Sequence, residues 1–132
     1  MTRGMFKDFD LGALRRNKRI AFYFRYPLYH TEFHELHDPK TGHLLGRFAA
    51  KPLYGRLTRD GRVDRSAGFN GQVAVIFVPA RARSAAAAQL LLARTSKAQV
   101  ILPDGRRNWP AIRATAERSV LRHLKVKQTG ER

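Results

Sequence analysis

An α+β fold, mostly antiparallel sheet built from hairpins and closed by a C-terminal β-α-β-α segment with two helices on the sheet, is predicted by three observations. Aromatic and branched residues alternate with period two over RIAFYFRY at 19–26. Turn residues recur in the right order at Asp38-Pro39-Lys40-Thr41-Gly42, Arg59-Asp60-Gly61-Arg62 and Phe69-Asn70-Gly71. The last third of the chain changes to a helical period, with Ile112, Ala116, Val120 and Leu124 recurring every fourth residue. A length of 132 residues fits one domain that loses roughly two thirds of its unfolded surface on folding. The expected organisation is a basic N-terminal arm over 1–19, a single α+β domain over 20–125 and a basic C-terminal tail over 126–132.

The arm ends in Arg15, Arg16, Lys18 and Arg19 and reads as extended chain with one helical turn, its basic end set against a partner's phosphates or in water. Ile20, Phe22 and Phe24 then alternate with Ala21, Tyr23 and Arg25, which predicts a first strand that Pro27 ends or places at an edge. Phe22 and Phe24 are expected in the core; Tyr26 and Tyr29 fit either a core or a stacking surface. The turn at 38–42 predicts a hairpin with Asp38 opposite His43, His37 opposite Leu44, Glu35 opposite Gly46 and His34 opposite Arg47. Asp60-Gly61 predicts a second hairpin with a two-residue type I′ turn. After a turn at 69–71, the unbroken apolar run Val73 to Val78 predicts a central strand buried on both faces. Ser84 is then placed to cap a helix over AAAAQLLLARTS, and AQVILP to form a short strand at 98–102, parallel to 73–78 if the helix is a crossover. Asn108 caps the last helix, with Pro110 in its first turn and Arg113, Glu117, Arg118 and Arg122 around its polar face.

Charge narrows the function. Lysine and arginine number 26 against 10 acidic residues, a net charge of +16 and a pI near 11.5. Such a surplus repels itself in the folded state and is relieved by a bound polyanion. Nineteen of the cations are arginine, whose planar fork suits bidentate contacts to phosphate and to base edges. The absence of cysteine excludes disulfides, cysteine zinc sites and thiol catalysis. No apolar run is long enough to span a bilayer or to resemble a secretory signal, so a cytoplasmic or nucleoid-associated protein without a membrane partner is expected.

Candidate nucleic-acid-binding residues fall in four places. The first is the arm, with Arg15, Arg16, Lys18 and Arg19. The second is the ribbon GRLTRDGRVDR, where the Asp-Gly turn brings Arg59 and Arg62 to the tip, with Arg56, Arg47 and Lys51 extending the surface along the strands. Asp60 and Asp64 dilute its charge. The third is Arg106 and Arg107, just before the last helix, where amide groups favour a phosphate. The fourth is the helix itself, with Arg113, Arg118 and Arg122 as a phosphate rail or an ordinary solvated face. Trp109 is expected to staple the helix start into the core, base stacking being its other role, and Tyr54 interleaves with Arg56 as a stacking sheet requires.

HTEFHELHDPKTGH at 30–43 gathers four of the five histidines with Glu32, Glu35 and Asp38. His34, Asp38 and His43 form its best three-ligand set, with Glu35 as a base, and carry the alternative reading of a metal-dependent nuclease. Strand alternation sends Glu35 and His37 to the opposite face, so a solvated or phosphate-facing hairpin is expected, with no metal and no cofactor.

VDRSAGFNGQVAVIFVPAR at 63–81, followed by a helix and QVIL, loosely resembles the core of nucleases of the PD-(D/E)xK class. Asp64 matches the first aspartate of that motif. Phe77-Val78-Pro79 stands where the second acid, spacer and lysine would fall, so the resemblance implies a DNA-binding relic without cleavage. The combined expectation is a non-enzymatic nucleic-acid-binding accessory or regulatory factor, duplex DNA being favoured over RNA. The alternative outside nucleic acid is a basic surface docked on an acidic protein, and an edge strand near Pro27 leaves room for a homodimer.

Overall fold

The residues expected to open the sheet form a helix instead. In the computed structural model, which describes residues 14, 16–24, 31–82 and 84–130, helix α1 spans Lys18–Tyr23. Asn17 caps it: the Asn17 side-chain oxygen accepts from the backbone N–H of Arg19 at 3.1 Å and of Ile20 at 3.2 Å. Ile20 and Phe24, four residues apart, are buried, while Phe22 between them is 42% exposed, so burial follows the helical period and Phe22 leaves the expected core. A side-chain cap in the preceding residue has overridden an apparent period of two.

The first hairpin joins β1 (His34–His37) to β2 (Leu44–Leu57). Its loop closes as the turn residues dictate, with Asp38 N–H donating to His43 O at 2.8 Å and Gly42 N–H donating to Asp38 O at 2.8 Å. Beyond His37 and Leu44 the register slips by one: Leu36 faces Gly46, Glu35 faces Arg47 and His34 faces Phe48. The extra residue is Leu45, whose carbonyl accepts from Ala80 N–H at 3.0 Å, a bulge that the even alternation of the sequence did not foretell. Arg47 is thereby moved from the histidine expected opposite it to a carboxylate.

β2 returns through residues 58–62 into β3 (Val63–Pro79). Thr58 N–H donates to Arg62 O at 2.8 Å and Gly61 N–H to Thr58 O at 3.1 Å, which leaves a three-residue loop of Arg59, Asp60 and Gly61. Gly61 alone of these takes positive φ, at 83°, and no described non-glycine residue does, so the turn is type I closed by a glycine bulge rather than type I′. The turn expected at 69–71 is also absent. β3 runs straight through it, with Gly68 and Gly71 absorbing the irregularity at φ 74° and 84°.

β3 is central, as the run Val73 to Val78 requires; every residue of that run is buried. Among the described residues the strands lie in chain order as one antiparallel four-stranded sheet with no crossover. The helix expected over 84–96 resolves into a 3₁₀ turn at Ala85–Ala87 and then β4 (Gln89–Arg94). The alanines favour helix, but Leu90, Leu91 and Leu92 pair beside β3, where they are half-buried, and this tertiary contact overrides local propensity. The strand expected at 98–102 becomes a single turn, α2 (Lys97–Val100), followed by one isolated bridge between Ile101 and Arg107.

The last helix, α3 (Trp109–Gly130), starts where expected: Asn108 O accepts from Ile112 N–H at 2.9 Å and the Asn108 side chain from Ala111 N–H at 3.3 Å. Ile112, Ala116 and Val120 are fully buried as the helix packs on the sheet. It continues past 125 because no glycine or proline interrupts residues 111–129.

Two compact units divide these elements. One comprises the chain to Ala49 with Val75–Leu91 and is built around Ile20, Phe24, Leu36, Phe48, Ile76 and Phe77; the other comprises Ala50–Ala74 with the chain from Leu92 and is built around Leu53, Val73, Val100, Ile112 and Val120. No helix among the described residues is long and apolar enough to cross a membrane.

Candidate nucleic-acid interface

The second unit carries most of the exposed arginines. Along β2, Leu53 and Gly55 are buried while Tyr54 and Arg56 are exposed, so strand alternation sets a tyrosine and an arginine on the same outward face. Arg56 reaches across to Asp64 on β3, 3.6 Å away. At the hairpin tip Arg59 and Arg62 are both exposed, as the sequence predicts. Asp60 lies 3.5 Å from Arg62 Nε and also receives the Thr58 hydroxyl.

The hydrogen bond from Thr58, followed by the Arg62 amide, holds the Asp60 carboxyl below its ordinary value of 3.8. Folding therefore favours the charged form. Its contribution is complete above 3.8 and is lost as pH falls through the lower folded value. An NMR titration of Asp60 should give a midpoint below that of the same residue in an unstructured peptide, and an equal or higher midpoint would refute the capped turn.

A second arginine site lies before α3. Leu102 N–H donates to Arg106 O, Gly105 N–H to Leu102 O and Asn108 N–H to Val100 O, each at 2.8 Å. This narrow loop holds Arg106 and Arg107 on its returning arm. Arg106 Nε is 2.6 Å from Asp104 Oδ2, so part of its charge is already matched. Arg107 is different: its guanidinium carbon lies 5.1 Å from the centre of the Tyr54 ring and 5.8 Å from that of Trp109. Phe69 supports Tyr54 edge-on, with ring centres 6.2 Å apart. Tyr54, Gly105, Arg106, Arg107 and Trp109 line an open groove of about 680 Å³.

Trp109 is 40% exposed and Tyr54 38%, so the expectation that Trp109 staples the helix into the core is corrected. With Pro110 beside it and α3 already anchored by Ile112, the indole is left beside Arg107 at the surface. The convergence of residues 54, 107 and 109 has no signal in the sequence, because it needs the pairing of a strand and a loop far apart in the chain.

Comparison with known protein families, curated proteins and solved structures finds no match.

The remaining candidates divide by burial. Arg118 and Arg122 are exposed on α3, with Arg118 Nη2 donating to Thr115 Oγ1 at 3.3 Å, and Arg113 is half-buried. Arg16, Lys18 and Arg19 are exposed in and beside α1, while Arg15 lies outside the described residues, as do Tyr26 and Tyr29. Lys51 is half-buried and already engaged. Arg47 is 1% exposed, with Nη2 2.9 Å from Glu35 Oε2, and is removed from the interface: the bulge at Leu45 turns it inward.

The histidine-rich hairpin also resolves by register. His34 packs on Phe48, ring centres 5.7 Å apart, and Glu35 is drawn to Arg47. Among the described residues no three histidine or acidic side chains converge as metal ligands would. Asp64, the position matching the nuclease motif, accepts from the Ser66 hydroxyl and backbone N–H, which, with Arg56, hold its carboxyl below the ordinary range.

Proposed function

We propose that this protein binds nucleic acid through phosphate contacts and acts as a non-enzymatic accessory or regulatory factor. The observation that carries this reading is the set of exposed arginines in one unit, Arg59 and Arg62 on the hairpin tip, Arg107 at the groove, and Arg118 and Arg122 on α3, in a chain of net charge +16. A two-stranded ribbon with a basic tip fits a duplex groove or straddles one across its phosphates, which favours duplex DNA for the tip. The acids on this surface, Asp60, Asp64 and Asp104, each sit on one arginine and hold it in place until a phosphate competes for it.

Binding of labelled duplex to nucleic-acid-free protein across a salt series tests this. Affinity is expected to fall steeply, with a slope of about −0.9 per phosphate neutralised, and the paired change Arg59→Ala with Arg62→Ala is expected to flatten the slope by roughly two phosphates' worth. A flat salt response in the wild-type protein overturns the reading. Retention of binding to an acidic protein after nuclease treatment, with no affinity for nucleic acid, would replace it.

A further inference from the structure

We infer that the groove before α3 receives one unpaired nucleotide, its base stacked on Trp109 and its phosphate held by Arg106 and Arg107; this rests on the nucleic-acid reading above. Three observations converge. Trp109 and Tyr54 expose large aromatic surfaces to solvent, although Leu53 and Ile112 close by in the chain are buried. The groove between them, about 680 Å³, is lined on its remaining sides by two arginines and by Gly105, which puts no side chain in the way. Arg107 already lies over the face of Tyr54, so its fork is pre-positioned beside the indole.

The chemistry of a nucleotide answers each of these features. A base has a flat π-face for the indole, and a phosphate has the paired oxygens that a guanidinium fork grips. A paired base inside a duplex has both faces occupied by its neighbours, so the ligand is a base that is already unstacked or easily turned out. The Arg107 guanidinium lies over both rings, 5.1 Å from the centre of Tyr54, which Phe69 backs edge-on, and 5.8 Å from that of Trp109. Asp104 steers Arg106 through its Nε. The aromatic–arginine–aromatic arrangement is then a rest state, with Arg107 covering part of the surface that the base will use.

Trp109 is the sole tryptophan of the chain, so all indole emission reports this groove. The experiment titrates the full-length protein with a single-stranded thymidine oligonucleotide, with a blunt duplex of equal length and with heparin, following tryptophan emission and, in parallel, binding. The single strand is expected to quench the emission saturably, whereas heparin binds without quenching. Trp109→Ala is expected to weaken single-strand binding roughly ten- to a hundred-fold and Trp109→Phe much less, with heparin binding unchanged in both. Tyr54→Leu, which leaves the helix start intact, provides a second variant and is expected to weaken the single strand alone.

Single-strand binding with unaltered emission, or with unaltered affinity in Trp109→Ala, overturns the stacking proposal while the nucleic-acid reading stands. No binding of either strand form at low salt overturns both.

Discussion

Gly46→Ala is expected to destabilise the protein by roughly 3 kcal/mol, the upper end of the usual range for overpacking a closed core. A Cβ at this position would lie 2.3 Å from the carbonyl oxygen of Val78 and 2.8 Å from Cε1 of Phe77. Neither neighbour can retreat easily. Phe77 and Val78 are 1% and 2% exposed, and the strand that carries them is tied to β2 by the hydrogen bond from Ala80 to Leu45. Thermal unfolding should show the midpoint falling by roughly 10 °C. Gly61→Ala is the informative comparison, because that site has open space but a φ of 83°; it isolates backbone strain, about 1 kcal/mol, from the missing room. If the two variants unfold alike, the close approach of β2 to β3 at Gly46 is refuted.

Removing the carboxylate from Glu35 is the second change with a large expected effect. Arg47 is 1% exposed, and Glu35→Ala takes away the acceptor 2.9 Å from its Nη2 while leaving the guanidinium inside. Breaking a fully buried pair in this way costs about 3–5 kcal/mol; because the Glu35 side chain is 34% exposed, roughly 2 kcal/mol is expected here. Arg47→Met, which removes the charge and keeps the length, is expected to cost less, roughly 1 kcal/mol or below. Chemical denaturation gives the order of the two. The same Arg47→Met protein should keep the wild-type salt slope for duplex binding, since this arginine faces inward. A flattened slope would return Arg47 to the interface.

The elements that the sequence made legible are those whose signal is local. The apolar run at 73–78, the Asp-Pro-Lys-Thr-Gly turn and the Asn108 cap each act within a few residues, and each stands where expected. The misread elements depended on distant partners or on competition between two local signals. Residues 20–24 satisfy both a strand alternation and, through Asn17, a capped helix; the cap decides. Residues 85–94 favour helix in isolation, yet the leucines join the sheet beside β3. At the candidate interface, the tip arginines could be placed from the turn residues alone. The inward turn of Arg47 and the meeting of Tyr54, Arg107 and Trp109 could not, since one follows from a single bulged residue and the other from chain brought together by folding.

The chain-order arrangement of the four strands bears on the route by which the molecule forms. A meander lets each hairpin start at its own turn, and the entropic cost of closing successive rungs grows only slowly as the arms zip outward. For the long hairpin of β2 and β3, the contacts of shortest chain separation lie between Thr58 and Arg62, and a far longer loop is closed where Ala80 meets Leu45. The basic tip closes between Thr58 and Arg62, near neighbours in the chain, whereas the Trp109 groove joins Tyr54 to Arg107, which are far apart in it. The tip therefore costs little chain entropy to close, and the groove more.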